Sequence, residues 1–335
     1  METNMLKTIS RRTCLSIGVG ALSGAAFTQT LAAGAAYPTR PVKLVVAAAA
    51  ASSPDAIARQ LSTKLGAAWG QPVLIENVVG LGGVIGTDRA AKSPADGYTF
   101  LLSTISAMAV STSLLDKLPY DPVKDFAPIA MAMTLPNLLV VHPSVPVSDA
   151  RGLIAYIRQN PGKLRYGHPG VGTSNHLCAE MFKQMTGVKI DGIPYKSSAQ
   201  MMTDLLGGQY EILFHNSSVV LPHARGGGAK VLGITSAERN PTMPDIPTVA
   251  EAAGIPGFAV NAWWGLYAPA GTPPEIVSKI STDIGAALAT PDLKSWVEKQ
   301  GGSPGGGSPQ ALAAFQAAET QRWRDLVKAA NIKAD

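Results

Sequence analysis

The stretch Tyr166-Gly-His-Pro-Gly-Val-Gly-Thr-Ser-Asn-His176 is a glycine-rich turn that leads directly into an apolar-periodic segment. The apolar positions of that segment are Leu177, Met181, Phe182 and Met185. The start of a helix leaves backbone N–H groups without intrahelical partners, and Thr173 and Ser174 are natural caps with hydroxyl donors. This pattern is typical of an anion-binding site. The alternative, equally supported by this stretch alone, is that Gly170 and Gly172 only permit a tight turn between strand and helix.

A second strand-loop-helix unit repeats this design earlier in the chain. Val42–Ala47 predicts a buried parallel strand, because it is a short run of β-branched and apolar residues after Pro41. Asp55 is predicted to cap the helix that follows. The apolar positions of this helix are Ile57, Leu61, Leu65 and Ala68. Two such units suggest a ligand site with two facing sides.

Strands and helices alternate along the rest of the chain, which predicts an α/β fold with binding loops at the carboxyl ends of its strands. Further strands are predicted at 72–77, 98–103, 135–141, 164–167, 190–195, 211–215, 230–235 and 260–268. Helices are predicted after the flexible loop 80–86, after Ser148-Asp149, after Lys196-Ser-Ser198, and over 273–289 and 309–330. The glycine-rich segment 301–307 is predicted to be a linker. The last helix is predicted to bury Leu312, Phe315, Trp323, Leu326 and Val327.

The length predicts two domains, because about 300 residues exceed the comfortable size of one core. The second α/β unit is inserted into the first, so we assign 36–140 plus 259–335 to domain 1 and 141–258 to domain 2. The chain then crosses between the domains near residues 140 and 259, which predicts a hinge. Small ligands bind in the cleft between two such sheets.

Residues 1–35 are predicted to be an export signal peptide. Lys7 and the pair Arg11-Arg12 precede an uncharged small-residue and apolar run, with cleavage expected just before Ala36 or Tyr37. The arginine pair resembles a twin-arginine signal, and an ordinary secretory signal is the alternative. We therefore predict an exported, soluble protein. The remaining cysteine, Cys178, has no internal partner and is predicted to pack on its helix.

The charge pattern argues against nucleic acid as a partner. The chain has 28 Lys and Arg, 23 Asp and Glu, a formal net charge of +5, and only 15% charged residues. Residues 1–36 contain three of the basic residues and one of the acidic residues, so they account for two units and leave +3 for the mature chain. No basic run or stripe is present.

Short motifs then follow one another in an order found in a known family. They are Tyr37-Pro-Thr-Arg-Pro-Val-Lys-Leu-Val-Val46, Gly70-Gln-Pro-Val-Leu-Ile-Glu-Asn77, Ala95-Asp-Gly-Tyr-Thr-Phe-Leu-Leu102, Leu118-Pro-Tyr-Asp-Pro-Val-Lys-Asp-Phe-Ala-Pro128, the stretch 166–176, Pro194-Tyr-Lys196, Asp204-Leu-Leu-Gly-Gly-Gln209, Pro244-Asp-Ile-Pro-Thr-Val-Ala-Glu251 and Ala268-Pro-Ala-Gly-Thr-Pro273. The chain is similar over nearly its whole mature length to the Bug-type substrate-binding proteins of tripartite tricarboxylate transporters. The resemblance implies a two-domain periplasmic binding protein of the type II, Venus-flytrap fold, acting as a monomer. Such a protein closes on a small carboxylate and passes it to integral membrane transporter subunits.

The first binding loop departs from the family pattern. The family usually has an aromatic residue where this chain has Ala48, and a glycine pair where it has Ala51-Ser52. Losing the aromatic side chain opens about as much space as that side chain fills. Losing the glycines limits the approach of backbone N–H groups to an anion if those positions need positive φ. The sequence leaves open both the ligand and whether this loop retains binding.

Donors for a carboxylate are predicted in the loops that follow the strands, since hydroxyls and helix N-termini bind such anions. The predicted ligand-binding residues are Ser52, Ser53, Asp55, Ser103, Thr104, Gly172, Thr173, Ser174, Ser197, Ser198, His215 and Asn216. Asp55 would orient a water or bind a substrate amine, with capping as the alternative. His215, often acidic in the family, would pair with a second carboxylate or lie at the rim. Trp263 and Trp264 are predicted to pack at the hinge.

No catalytic residue, metal or cofactor is predicted. Neither the phosphate-binding Gly-x4-Gly-Lys pattern nor His-Glu-x-x-His is present. A metal corner of His168, His176 and Cys178 lacks a fourth ligand. The protein is therefore predicted not to be an enzyme. A ligand-binding sensor for a signalling partner and a hydrolase using Ser174 remain the alternatives.

Overall fold

The fold is described by a computed structural model that covers residues 37–332. Within that range ten strands form one curled, mixed sheet. They are β1 Val42–Val46, β2 Val73–Asn77, β3 Thr99–Thr104, β4 Phe126–Val141, β5 Arg165–His168, β6 Asp191–Pro194, β7 Ile212–Asn216, β8 Lys230–Ile234, β9 Asn261–Pro269 and β10 Ser303–Gly306. The sequence predicts each of these except β10, and it predicts only the second half of β4.

Helices follow most of the strands, as expected for an α/β fold. They are α1 Ser53–Trp69, α2 Val84–Ala91, α3 Ser111–Leu114, α4 Ala150–Gln159, α5 Ser174–Thr186, α6 Ser198–Leu206, α7 Ser217–Arg225, α8 Val249–Ala253, α9 Pro274–Leu288, α10 Pro291–Lys299 and α11 Pro309–Ala329. A 3-10 turn, Leu81–Gly83, precedes α2, and a π-helical turn, Ser106–Val110, precedes α3. The predicted signal peptide, residues 1–35, lies outside the described residues.

The sheet has two parts that share β4. The strand order is β2-β1-β3-β9-β4-β7-β5-β6, with β8 and β10 also paired to β4. We call β2, β1, β3, β9 and β10 with residues 126–136 of β4 the first half-sheet. Residues 137–141 of β4 with β7, β8, β5 and β6 form the second half-sheet. One crossing between the halves therefore lies inside a continuous strand, while the domain boundaries at 140 and 259 remain a prediction.

Both faces of the first half-sheet are buried, which explains the nearly continuous apolar runs of its strands. Leu44 and Phe100 pack in one cluster with α1 and α9, on the side chains Ile57, Leu61, Ile280 and Ile284. Val45 and Leu101, which alternate with them, belong to the cluster on the opposite face. Cys178 is fully buried in that second cluster, as predicted.

Three local predictions are wrong. Asp55 does not cap α1, because Ser52 occupies the N-cap position and Asp55 lies in the first turn. The predicted linker 301–307 contains β10, and a Cβ on its Gly305 would lie only 2.1 Å from the Met131 carbonyl oxygen. Phe315 is 37% exposed, so the buried face of α11 is narrower than predicted.

The terminal helix α11 is anchored by a buried carboxylate. Oε2 of Glu319 accepts hydrogen bonds from the indole Nε1 of Trp263 on β9, at 3.0 Å, and of Trp323 on α11, at 2.8 Å. Each indole ring is only 1% exposed. Trp263 therefore joins the central sheet to the last helix.

Candidate functional site

A cavity of about 480 Å³ is lined by residues of both half-sheets. Its walls come from the segments at the carboxyl ends of β1, β2, β3, β5, β6 and β7, where open α/β sheets bind their ligands. The lining residues are Ala47, Ala48, Ala49, Ser52, Ser53, Pro54, Val79, Gly80, Leu81, Gly82, Gly83, Thr104, Ile105, Ser106, Pro169, Thr173, Ser174, Asn175, Tyr195, Lys196, Ser197, Ser198, His215, Asn216, Val219, Ala262 and Trp264.

Four helices begin at this cavity. The N-cap residues of α1, α5, α6 and α7 are Ser52, Thr173, Ser197 and Asn216, and all four line the cavity. Only Ser197 caps its helix with its side chain, which accepts from the Gln200 N–H at 3.2 Å. The first-turn N–H groups of α1, α5 and α7 therefore have no side-chain cap from their N-cap residues. They supply donors and a partial positive charge at the cavity.

In the first loop, between β1 and α1, a residue other than glycine adopts the left-handed conformation. Ala51 has a φ of 59°, a conformation that favours glycine. Its N–H donates to Oδ2 of Asp55 at 2.9 Å, and the same oxygen accepts from Arg59 Nε at 2.8 Å. Oδ1 of Asp55 accepts from Asn77 Nδ2 at 3.0 Å. Burial raises the pKa of Asp55, but the hydrogen bonds from Arg59, Ala51 and Asn77 outweigh it and hold that pKa below its usual value. The charged Asp55 carboxylate thus compensates for the missing glycines.

The loop after β2 is closely packed rather than an open glycine linker. Gly82 and Gly83 have φ values of 65° and 107°. The Thr104 hydroxyl donates to the Gly82 carbonyl at 2.7 Å. A Cβ on Gly83 would lie 2.8 Å from the Ala47 carbonyl oxygen, so this position tolerates no side chain. The glycines bring this loop against the end of β1.

Some of the hydroxyl groups that line the cavity already have partners among residues 37–332, and others do not. Ser52, Thr104 and Thr173 donate their protons to loop carbonyls, those of Ala49, Gly82 and Gly170, at 2.5, 2.7 and 2.7 Å. Ser174 and Ser198 make no side-chain hydrogen bond with any residue in the described range 37–332. Ser174 is therefore a free donor, whereas the Thr173 hydroxyl stabilises the glycine turn and cannot donate the same proton to a ligand.

Direct contacts join the two sides of the cavity. Ser53 Oγ of α1 lies 3.0 Å from Ser218 Oγ of α7 and 3.5 Å from Asn216 Oδ1. Asn216 Nδ2 in turn donates to Asn137 Oδ1 on β4 at 3.1 Å. These bonds hold the first turns of α1 and α7 together.

His215 is a buried neutral imidazole in the cavity wall. Its side chain is 3% exposed, and burial lowers its pKa to about 4. Nδ1 accepts the Asn216 N–H at 2.7 Å, which places the proton of the neutral ring on Nε2.

The pKa of His215 predicts a loss of stability in mild acid. Below about pH 6.5 the unfolded chain binds a proton at this residue that the folded chain does not bind until about pH 4, so stability falls across that interval. By pH 5 we expect His215 to cost about 2 kcal/mol of unfolding free energy. Denaturant titrations at pH 7 and pH 5 should show a smaller loss for His215→Gln than for the wild type. Equal losses in both proteins would contradict the assignment.

Nine of the twelve predicted site residues line the cavity, and three do not. Ser103 is fully buried and shares a hydrogen bond of 2.8 Å with Thr87. Asp55 is 2% exposed and holds the first loop from behind. Gly172 has a φ of 77° and lies behind the cavity against Leu114. Which of these residues contact a ligand remains a prediction.

Sequence reasoning missed several lining residues, among them Gly82, Gly83, Ser106, Asn175, Lys196 and Trp264. A signal existed for Lys196, because it stands directly before the predicted Ser197 in a loop after a strand. Trp264, assigned to hinge packing, is 4% exposed and lines the cavity. In residues 37–332 no group of three His, Cys, Asp or Glu side chains could hold a metal ion.

Comparison with known proteins supplies the family. The model of the tripartite tricarboxylate transporter family receptor matches residues 57–332. The chain belongs to this family. It is 38% identical to Protein BugT of Bordetella pertussis over 298 residues, which cover 89% of this chain and 91% of BugT. These findings confirm the resemblance to Bug proteins.

Solved structures of similar proteins confirm the fold of this family receptor. R. palustris Rpa4515 with adipate is 39% identical, with a TM-score of 0.85, covering 89% of this chain and 99% of the other. The periplasmic binding protein BugD is 33% identical, with a TM-score of 0.83, covering 89% of this chain and all of the other. The predicted two-domain periplasmic binding protein fold is therefore correct. No helix within residues 37–332 is long and apolar enough to cross a membrane.

Proposed function

We propose that this receptor captures a small carboxylate in the cavity between its half-sheets and delivers it to integral membrane transporter subunits. It would act in the periplasm as a monomer, after removal of residues 1–35. The observation on which the proposal depends is the convergence of four helix N-termini on one cavity. First-turn N–H groups and their partial positive charge stabilise an anion at such a position.

The charges at the cavity also favour an anion. Lys196 is the only residue with a formal charge among the lining residues of the described range. Its ammonium group adds attraction for a carboxylate at the cavity, where Lys196 directly precedes Ser197, the N-cap of α6. The free Ser174 and Ser198 hydroxyls provide further donors.

The relatives support a carboxylate as the ligand and the periplasm as the cellular compartment. Rpa4515 was solved with adipate, a dicarboxylate, and BugD is described as a periplasmic binding protein. The apolar part of the lining, including Ala48, Val79 and Ile105, suits the methylene chain of such a ligand. Two carboxylates could then occupy the two sides of the cavity.

A pair of adjacent variants tests the carboxylate site. Ser174→Ala is expected to weaken adipate binding by about 1.5 kcal/mol, because it removes a donor to a charged group. Thr173→Val is expected instead to lower the unfolding free energy by about 1 kcal/mol, since its hydroxyl bonds the Gly170 carbonyl. Isothermal titration calorimetry and urea unfolding of both variants separate the two effects.

Two outcomes would contradict the proposal. If Ser174→Ala binds adipate and shorter dicarboxylates as tightly as the wild type, the site lies elsewhere. If the wild type instead hydrolyses a carboxylate ester at a steady rate and Ser174→Ala stops the reaction, the hydrolase alternative is correct.

A further inference from the structure

The glycine turn, residues 169–173 between β5 and α5, lies directly against a segment of the first half-sheet side. A Cβ on Gly172 would lie 2.6 Å from Leu114 Cδ1. It would also lie 3.3 Å from Ser106 Oγ and 3.4 Å from Val110 Cγ1. All three of these residues belong to the helical segment 105–114, which follows β3. The turn of one half-sheet therefore contacts a helical segment of the other.

Ser106, Val110 and Leu114 form the surface on which the turn rests, and we call these three residues the seat. They are four positions apart along the helical segment, so they lie on one side of it. Gly82 borders the seat as well, since a Cβ on Gly82 would overlap Ser106 Oγ and would lie 3.8 Å from the Val171 carbonyl oxygen. Ser106 thus has a closely packed glycine from each half-sheet beside it.

Two features of position 172 require glycine. Its φ of 77° is left-handed, a conformation that favours glycine. A methyl group on Gly172 would also have to displace the Leu114 side chain. Gly170 in the same turn has a φ of 139°, but the nearest atom to a Cβ there is Thr173 Cγ2, at 3.9 Å. The close approach to the seat is therefore made by Gly172.

The contact between the turn and the seat can separate without breaking a hydrogen bond. Within residues 37–332, no hydrogen bond joins the glycine turn to the segment 105–114. The two chain crossings between the half-sheets are different. The Asn137 N–H donates to Thr235 Oγ1 at 2.8 Å, and that hydroxyl donates to the Val260 carbonyl at 2.6 Å. Hydrogen bonds thus hold the crossings together, whereas the turn and the seat make only van der Waals contact, which can be broken and re-formed.

We propose that the glycine turn is the closing contact of the receptor. Gly172 leaves the seat when the cavity opens, and it returns to the seat when the cavity closes on a ligand. The inference depends on the proposed carboxylate-binding function and adds the step that encloses the ligand. Thr173 and Ser174, which line the cavity, directly follow Gly172. The seated Gly172 therefore sets the position of the first turn of α5 against a ligand, and it is a positioning residue.

A matched pair of glycine variants tests this role. Gly187 ends α5 with a φ of 69°, and no atom lies within 4 Å of its Cβ position. Gly172→Ala and Gly187→Ala therefore introduce similar backbone strain, but only Gly172→Ala places a methyl group against the seat. Isothermal titration calorimetry should show Gly172→Ala binding adipate about tenfold more weakly than the wild type, with Gly187→Ala within about twofold of it. Equal affinities of the two variants would overturn the inference and leave the proposed function intact.

A double-mutant cycle tests the contact from the side of the seat. Leu114 does not line the cavity, and Leu114→Ala removes the atom nearest to a methyl group on residue 172. Gly172→Ala should therefore cost much less affinity for adipate in the Leu114→Ala protein than in the wild type. Equal costs in the two proteins would overturn the assignment of this seat.

Small-angle X-ray scattering of the wild-type mature protein distinguishes closure from permanent packing. The radius of gyration should decrease when adipate is added, and Gly172→Ala saturated with adipate should remain less compact than the wild type. A wild type that binds adipate without becoming more compact would show that the turn never leaves the seat, and would overturn the inference. Binding of neither adipate nor succinate by the wild type would overturn the proposed function, and the inference with it. The wild-type measurement does not depend on whether any variant folds.

Discussion

Replacing Glu319 with alanine is expected to lower the free energy of unfolding by about 4 kcal/mol. The carboxylate accepts the indole N–H groups of Trp263 and Trp323 at 3.0 and 2.8 Å, and both rings are 1% exposed. Alanine would leave both donors buried without a partner, and each such donor costs about 1–3 kcal/mol. Urea unfolding followed by tryptophan fluorescence measures the loss directly.

Glu319→Gln is the matched control for this prediction. Its amide oxygen can still accept from both indoles, and the ion pair lost with Arg322, at 3.3 Å, is partly exposed and weak. We expect this variant to lose less than half as much stability as Glu319→Ala. Equal losses would show that the charge of Glu319, and not its acceptor oxygen, anchors α11.

Ala48→Phe is expected to weaken adipate binding about a hundredfold, which corresponds to about 3 kcal/mol. Ala48 lines the cavity. A phenyl ring there would occupy space that a long ligand needs, and even one misplaced methylene in an apolar pocket changes affinity about tenfold or more. Succinate, which is shorter, should lose less affinity than adipate. Calorimetric titration of both ligands measures the change in preference.

Ala50→Phe controls for the added ring. Ala50 stands in the same loop but is exposed and does not line the cavity. The Ala50→Phe variant should bind adipate and succinate with affinities near the wild-type values. If Ala48→Phe binds adipate as tightly as the wild type, the aromatic ring does not enter the ligand site, and the alanine run does not set its size.

Much of the fold follows from local patterns in the chain. The mostly apolar segment Val42–Val46 is typical of a strand that is buried on both faces, and it forms one. The three-to-four-residue spacing of apolar residues in α1 and α9 identifies the buried sides of these helices. The helix predicted after Ser148-Asp149 is present as α4, and Asp149 caps it with its side chain, which accepts from the Gly152 N–H at 2.7 Å. In contrast, the sequence did not predict β10, because Ser303–Gly306 has no alternation of apolar and polar residues. This segment is a strand because it pairs with β4.

The sequence likewise predicted only part of the candidate site. Small polar residues after strands correctly marked nine of the 27 lining residues of the cavity, since the strand ends of an α/β sheet converge. The sequence could not assign the partner of each hydroxyl. Thr173 and Ser174 are adjacent and chemically alike, yet one donates to the Gly170 carbonyl and the other stays free. That difference depends on the path of the turn.

The sequence by itself determined the α/β class, the family and the segments that contribute to the cavity, because periodicity, caps and motif order are local properties of the chain. Only the tertiary structure decided which polar groups remain available to a ligand. Asp55 and Asn77 are 22 residues apart and come together only when β1 and β2 pair. Their hydrogen bond occupies Oδ1 of Asp55, so this carboxylate stabilises the first loop. Among residues 37–332, no acceptor lies within hydrogen-bond distance of the buried Nε2 of His215. Burial and hydrogen-bond pairing are properties of the assembled chain, so they determine the chemistry of the site after its residues are known.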